Sequence, residues 1–254
     1  MSIATVLRGV TATRYVTPLR EGGSLPGLVE ADDSGLYVVK FRGAGQGSKA
    51  LAAEVISGEL ARAVGLPVPE QVLVAIGREL GLAEPDPEIQ ELIVGSAGAN
   101  LGVDFLPGAA GYSPALAWAP DPQLAAEIVW FDAFVTNVDR TPRNPNLLIW
   151  HERLWLIDHG ATLYRQHRGL DPATDADRPF PQIAEHVLLA RAGSIADADA
   201  RMAERIDRAL LRSVAALVPA DWLAGERAET YVDYLARRLE PPRRFVEEAE
   251  DART

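Results

Sequence analysis

The sequence predicts an α+β chain of two lobes, a small β-rich one followed by a larger, mainly helical one. Three observations carry that prediction. Turn signals and β-branched runs dominate the first third of the chain, and helical periodicity takes over from Pro122. Inside the helical part lies one short hairpin with polar residues at both ends.

In the first third, Ile3–Val10 reads as a strand, Glu21-Gly22-Gly23-Ser24 as a turn, and Leu28–Ala31 as a second strand before the polar turn Asp32-Asp33-Ser34-Gly35. Leu36–Phe41 is the clearest strand, because Tyr37, Val38 and Val39 are β-formers bounded by Gly35 and Gly43, so Lys40 lies on a strand. A helix follows from Ser48, a suitable N-cap, to about Val64, with Leu51, Val55, Ile56, Leu60 and Val64 at helical spacing and Gly65 and Pro67 as the stop. Further strands are expected at Gln71–Ile76, Glu91–Val94 and Gly102–Phe105. Five or so strands and one helix make a small lobe.

The turn-rich stretch 106–111 is the expected boundary. Beyond it, helices are expected at Gln123–Thr136, Ile183–Ala192, Ala200–Val218 and Arg227–Leu239, with an acidic, frayed tail from Glu247. Leu147–Trp150 and Leu154–Ile157, separated by a polar turn, read as the hairpin.

Composition narrows the function. A 254-residue chain that is 48% hydrophobic and 24% charged can bury a core. Its net charge of −11 argues against nucleic acid as a partner, since phosphate binders collect Lys and Arg. There is no Cys for disulfides or thiolate chemistry, no run of ~20 apolar residues to span a membrane, and no charged start followed by an apolar core in Met1–Tyr15. A cytoplasmic protein is expected.

Scarcity points to the site. Of 25 basic residues only Lys40 and Lys49 are lysines, so each invites a reason in a chain that otherwise uses Arg. Asn occurs only at 100, 137, 144 and 146, three of them within ten residues. Asp139 precedes Asn144 by five positions in a loop stiffened by Pro142 and Pro145, and the hairpin returns the chain to Asp158. A carboxylate to orient an accepting hydroxyl, an amide oxygen with a second carboxylate for Mg²⁺, and a cation for phosphate oxygens are the groups that phosphoryl transfer from ATP requires. Local turn chemistry alone would explain Asp and Asn in the loop but does not require Asp158 after the hairpin. Among the other polar groups, Asn146 reads equally as a further ligand or as a hairpin cap, Lys49 at a helix start is a weaker phosphate contact, and His159 reads as packed or as a switch.

The run Asn137-Val138-Asp139-Arg140-Thr141-Pro142-Arg143-Asn144-Pro145-Asn146-Leu147-Leu148, followed by Leu156-Ile157-Asp158-His159-Gly160-Ala161, resembles the HipA-like kinases, within the wider protein-kinase-like and phosphatidylinositol-kinase-like group. Tyr37-Val38-Val39-Lys40-Phe41 and the helix ending Ala61-Arg62-Ala63-Val64-Gly65-Leu66-Pro67-Val68-Pro69 resemble the family's small lobe, so the similarity spans roughly residues 5 to 165. The resemblance implies a two-lobed protein-kinase-like fold, with a nucleotide-binding lobe over 1–108 and a catalytic helical lobe over 109–254. It implies ATP and Mg²⁺ as cofactors, Asp139 as the catalytic Asp, Lys40 on the ATP phosphates with Glu54 paired to it, and Asn144 and Asp158 on the metal. Gly22, Gly23 and Ser24, in Gly22-Gly23-Ser24-Leu25-Pro26-Gly27, are the candidate phosphate-covering loop, although they depart from the usual Gly-x-Gly-x-x-Gly. Asp158-His159-Gly160 stands where many protein kinases have Asp-Phe-Gly, and Arg140 follows the catalytic Asp rather than preceding it; both suit the HipA-like and lipid-kinase-like branches. The acceptor would be a hydroxyl of a protein Ser/Thr or of a small molecule, with a regulatory protein as a further partner. A pseudokinase that binds ATP without turnover, and a lipid or antibiotic kinase, are the alternatives.

Overall fold

The computed structural model describes residues 6–19, 25–44, 47–82 and 84–254. The chain divides into two compact units, one made of Ala4–Leu51 and Pro69–Pro107, the other built mainly from Ala52–Val68 and Gly108–Thr254.

The first unit is a closed five-stranded barrel in the order β1 (Arg8–Pro18), β2 (Gly27–Ala31), β3 (Leu36–Lys40), β5 (Gly98–Asp104), β4 (Gln71–Ile76), in which only the β1–β4 pair that closes it is parallel. Alternation sends Val29, Tyr37, Val39, Val72, Val74 and Ile76 into one core with Phe41. Closure leaves no free edge among these strands. Gly102 is required by this packing, because a Cβ there would lie 2.5 Å from Val74 Cγ2.

Four expectations are corrected in detail. The first strand begins at Arg8 rather than Ile3 and runs to Pro18, and residues 3–5 lie outside the described set. Glu91–Val94 is not a strand: it lies in helix α2 (Pro87–Gly95), because Asp86 accepts the Glu88 N–H as N-cap, Pro87 sits at the first turn, and Ile89 and Ile93 are buried one turn apart against the barrel core. The β-rich unit therefore carries α2 besides part of helix α1 (Gly47–Ala63), whose residues from Ala52 belong with the second unit. Ser48 falls inside α1 rather than capping it.

In the second unit, α3 (Pro122–Phe134) is capped by Asp121 and is buried all round from Ala125 to Phe134. It packs against α5 (Ile195–Ala203), α7 (Ala228–Leu239), on which the short α4 (Pro172–Asp175) also packs, and α8 (Arg244–Arg253), and the Trp130, Phe134 and Phe245 rings form one cluster with centroids 5.3 to 5.8 Å apart. Buried Arg238 closes its C-terminus, donating to the carbonyls of Ala133 at 2.8 Å and Phe134 at 2.9 Å while its guanidinium lies over Phe245.

Three further helical expectations change. The stretch expected as helix Ile183–Ala192 holds two 3₁₀ turns, Pro181–Glu185 and Leu189–Arg191, separated by extended His186. The stretch expected as Ala200–Val218 is α5 and α6 (Arg208–Ala215), interrupted where Asp207 caps a new start by accepting the Leu210 N–H. The acidic tail is not frayed: it is α8, with Phe245 and Ala249 buried and Glu250 accepting the Ile195 N–H at 2.7 Å. None of the described helices is long and apolar enough to cross a membrane.

Candidate functional site

The site grows from the C-terminus of α3. After Phe134 the chain turns through Thr136 in the left-handed region, and Asn137, Asp139 and Arg140 follow at once. Thr141 and Asn144 exchange backbone hydrogen bonds at 3.1 Å across Pro142-Arg143, so a tight turn presents Asn144. The hairpin β7 (Leu147–Trp150) and β8 (Arg153–Leu156) then pairs Leu147 with Leu156 and brings the chain back, where the Ile157 N–H donates to the Asn146 carbonyl at 3.1 Å. Short β6 (Ala110–Gly111) joins this sheet on β7. Asn146 and Asp158 both have positive φ, at 49° and 55°, a conformation that Asn and Asp tolerate better than other side chains and that recurs at functional sites.

Three of the expected residues meet here. The Asn144 side-chain NH₂ donates to Asp139 Oδ2 at 2.7 Å, and Asn146 donates to the same oxygen at 3.5 Å. A carboxylate only accepts, so this bond orients the Asn144 amide and leaves its carbonyl Oδ1 directed elsewhere. Burial, and after it the charge of Asp158, push the Asp139 carboxyl above the ordinary range, while the two Asn donors favour its ionised form. Asp158 is half-buried and its Oδ1 accepts the Gly160 N–H at 3.4 Å. Asn144 Oδ1 and the Asp158 carboxylate are hard oxygen donors, the type Mg²⁺ takes, so the donor chemistry fits that ion.

A buried brace that sequence reasoning missed lies under this loop. Asp132, on α3, is fully buried and receives Arg140 Nε at 2.5 Å, Asn137 Nδ2 at 2.9 Å and His186 Nε2 at 2.9 Å. His186 Nδ1 accepts the Leu188 N–H, which leaves Nε2 to carry the proton toward Asp132. Arg140 continues the brace, donating through Nη1 to the carbonyls of Asn146 and Ile157 at the two ends of the hairpin. Asn137 Oδ1 accepts the Asp139 N–H at 3.1 Å. One carboxylate thus fixes the backbone on either side of Asp139 and, through Arg140, the residues preceding β7 and Asp158. Burial alone would raise the Asp132 carboxyl; Arg140 and His186 outweigh it and hold it well below the ordinary range. The available signal was two charged residues, Glu127 and Asp132, in the otherwise apolar run 125–134.

The remaining expected residues are distributed. Glu54 lies on α1 in the same unit as the loop, fully buried, with Oε1 3.8 Å from His159 Nδ1. His159 is packed rather than exposed, and its carbonyl accepts the Thr162 hydroxyl at 2.7 Å. Lys40 ends β3 in the barrel unit, half-buried and in register with Leu101. Asn100, the one asparagine away from the loop, holds the segment after Lys40 by accepting the Arg42 N–H at 2.9 Å. Lys49 lies in the first turn of α1. Gly22, Gly23 and Ser24 lie outside the described residues.

Among solved structures, the Helicobacter pylori proinflammatory kinase CtkA is similar with a TM-score of 0.60 at 12% identity, covering 97% of both chains. The Golgi casein kinase with Mn/ADP bound is similar with a TM-score of 0.51 at 12% identity, covering 98% of this chain and 74% of that one. At such identity these likenesses establish a mixed α+β kinase fold and nothing finer. No curated protein sequence matches the chain. The family model described as HipA-like kinase matches residues 13–240, which is most of the chain, and the protein belongs to the HipA-like kinase family.

Proposed function

We propose that this kinase uses ATP and Mg²⁺ to transfer the γ-phosphoryl group to a hydroxyl, with Asp139 as the catalytic carboxylate and Asn144 and Asp158 as the metal ligands. The observation that carries the reading is the Asn144–Asp139 hydrogen bond at 2.7 Å. It ties the amide nitrogen to one carboxylate and turns the amide oxygen away from it, while the charge of a second carboxylate, Asp158, acts on Asp139. Asp139 orients the acceptor hydroxyl and takes its proton as the oxygen attacks phosphorus. Asn144 Oδ1 and Asp158 hold Mg²⁺, which when bound neutralises charge on the phosphate oxygens. The Mn/ADP-bound Golgi casein kinase supports a nucleotide and a divalent ion on this fold.

Lys40 as the phosphate contact and Glu54 as its carboxylate partner are the roles that membership of the HipA-like kinases implies. Gly22–Ser24 is the candidate phosphate-covering loop. The architecture is protein-kinase-like, with a nucleotide-binding lobe within 1–108 and a catalytic lobe of 109–254 that Ala52–Val68 joins, and the acceptor is a protein Ser/Thr or a small-molecule alcohol. The protein works in the cytoplasm.

Equilibrium binding tests the metal assignment. Mg-ATP at about a hundred times its Kd stabilises a one-site protein by about 2.7 kcal/mol, which a thermal melt resolves. Wild type should show the stabilisation, and Asn144→Ala and Asp158→Asn should lose it with Mg-ATP. Full Mg-dependent stabilisation in both variants would refute the metal roles, and binding without transfer in the wild type would favour a nucleotide-binding regulator.

A further inference from the structure

Immediately after Asp158-His159-Gly160 the chain forms a cavity of about 710 Å³ from one continuous segment, Tyr164 to Arg178. The segment is pinned rather than loose. Leu163 N–H donates to the Val135 carbonyl, buried Gln166 accepts the Tyr231 hydroxyl at 2.8 Å, and Arg238 Nη1 donates to the Ala176 carbonyl at 2.9 Å. The cavity therefore has a preformed wall.

Its charge runs against the molecule. In a chain of net charge −11 the wall carries Arg165, Arg168 and Arg178 with His167, against Asp171 and Asp175. Both aspartates are engaged from within. Asp171 accepts the Ala173 N–H and the Thr174 hydroxyl, each at 3.0 Å. Asp175, largely buried, accepts the Asp171 N–H at 3.0 Å and lies 3.0 Å from Arg178 Nε and 3.9 Å from Arg165 Nη1. One buried carboxylate thus orients two guanidinium groups, each with five N–H donors and so with several to spare. Arg165 is further held over the Tyr164 ring, 5.1 Å from its centroid. Arg168 is exposed.

We infer that this cavity binds an acidic polypeptide segment of the phosphoryl acceptor, its carboxylates meeting Arg165, Arg168 and Arg178; the inference rests on the kinase reading above and specifies its substrate class. Forked guanidinium groups match planar carboxylates in bidentate fashion. A single oxyanion would engage one such fork, whereas this wall spaces three over fourteen residues around a volume that accommodates several side chains. The segment starts six residues after Asp158, and Leu163 just before it bonds the Val135 carbonyl two residues ahead of Asn137, so the cavity-forming segment is tied to the start of the loop that carries Asp139.

Fluorescence anisotropy on the full chain tests this without requiring turnover. Three labelled nonapeptides are used, a serine flanked by glutamates, by glutamines or by lysines, with Arg168→Ala, Arg168→Glu and the Arg168→Glu/Arg178→Glu pair. Wild type should prefer the glutamate peptide at least tenfold, a preference that falls on adding salt. Arg168→Ala should reduce it several-fold, and the double reversal should favour a lysine-flanked peptide instead, which a misfolded variant would not do. Asp139→Asn should keep the preference. Equal binding of the glutamate and glutamine peptides by wild type, a preference untouched by the arginine variants, or displacement of the glutamate peptide by inorganic pyrophosphate at lower concentration than by unlabelled peptide would each overturn the inference. A preference that behaves as expected in a protein that never transfers phosphate would uphold the binding site and sink the kinase reading instead.

Discussion

Two arginine–carboxylate networks in this molecule use the same chemical groups to opposite effect. Beneath the loop that carries Asp139, Arg140 and Asp132 are fully buried and share His186, Asn137 and two backbone carbonyls. On the outer face of α6 and α7, Arg208 and Arg212 pair with Glu229 at 2.8 and 3.0 Å, and Arg208 also with Asp233, with all four side chains substantially exposed. Water screens the second set and competes for every donor, so its geometry constrains little. The first set has no water to fall back on: each lost partner strands a polar group, and the backbone it holds is the loop carrying Asp139. Burial, more than the number of bonds, decides which network can position a site.

The largest effect that should separate them is Arg140→Ala, which leaves the Asp132 carboxylate buried with only Asn137 and His186 as partners and no guanidinium charge beside it. Loss of one partner from a buried pair costs roughly 3–5 kcal/mol, so urea unfolding should show a change of that size, together with lost phosphoryl transfer. A shift below about 1 kcal/mol, comparable to a surface pair, would break the contrast.

Asp132→Asn sharpens it through pH. Because folding lowers the Asp132 carboxyl, the unfolded chain takes up its proton first as pH falls. The stability this group contributes is therefore fully present above the ordinary Asp value, near 4, and is lost below it. Asp132→Asn should be less stable than wild type at pH 7, and the gap should narrow as pH falls below about 4. A gap that stays constant would mean that folding does not lower the Asp132 carboxyl.

Packing rather than charge supplies a smaller effect in the barrel. Gly102→Ala would place Cβ against Val74, and overpacking of this kind costs about 1–3 kcal/mol; unchanged stability would show that the strand yields. The smallest change is Glu229→Gln, whose thermal midpoint should be indistinguishable from wild type. A clear drop would make the exposed network structural after all.

How much was legible in the sequence follows the same division. Asp139, Asn144 and Asp158 were readable because their spacing is local, five residues and then a hairpin whose strands fall within a residue of where β-formers put them. Strand Leu36–Lys40 was readable for the same reason. The brace was not, since Asp132 and His186 are 54 positions apart and only the fold brings them within 2.9 Å. Misread elements were those where a cap outweighed composition. Glu91–Val94 looks like a strand until Asp86-Pro87 is weighted as a helix start, and Asp207 divides what periodicity joins into one helix. The acidic tail was misjudged because its charges find partners in other elements, such as Glu250 with the Ile195 and Ala196 N–H groups.

Label transfer from γ-labelled ATP, compared between wild type and Asp139→Asn, tests the central claim most directly. The substitution keeps the side-chain shape but removes the carboxylate that would take the hydroxyl proton. Wild type with Mg²⁺ should label an acceptor or itself, and Asp139→Asn should bind Mg-ATP yet transfer none of the label. Equal labelling by the two proteins would contradict the assignment of Asp139 as the catalytic carboxylate.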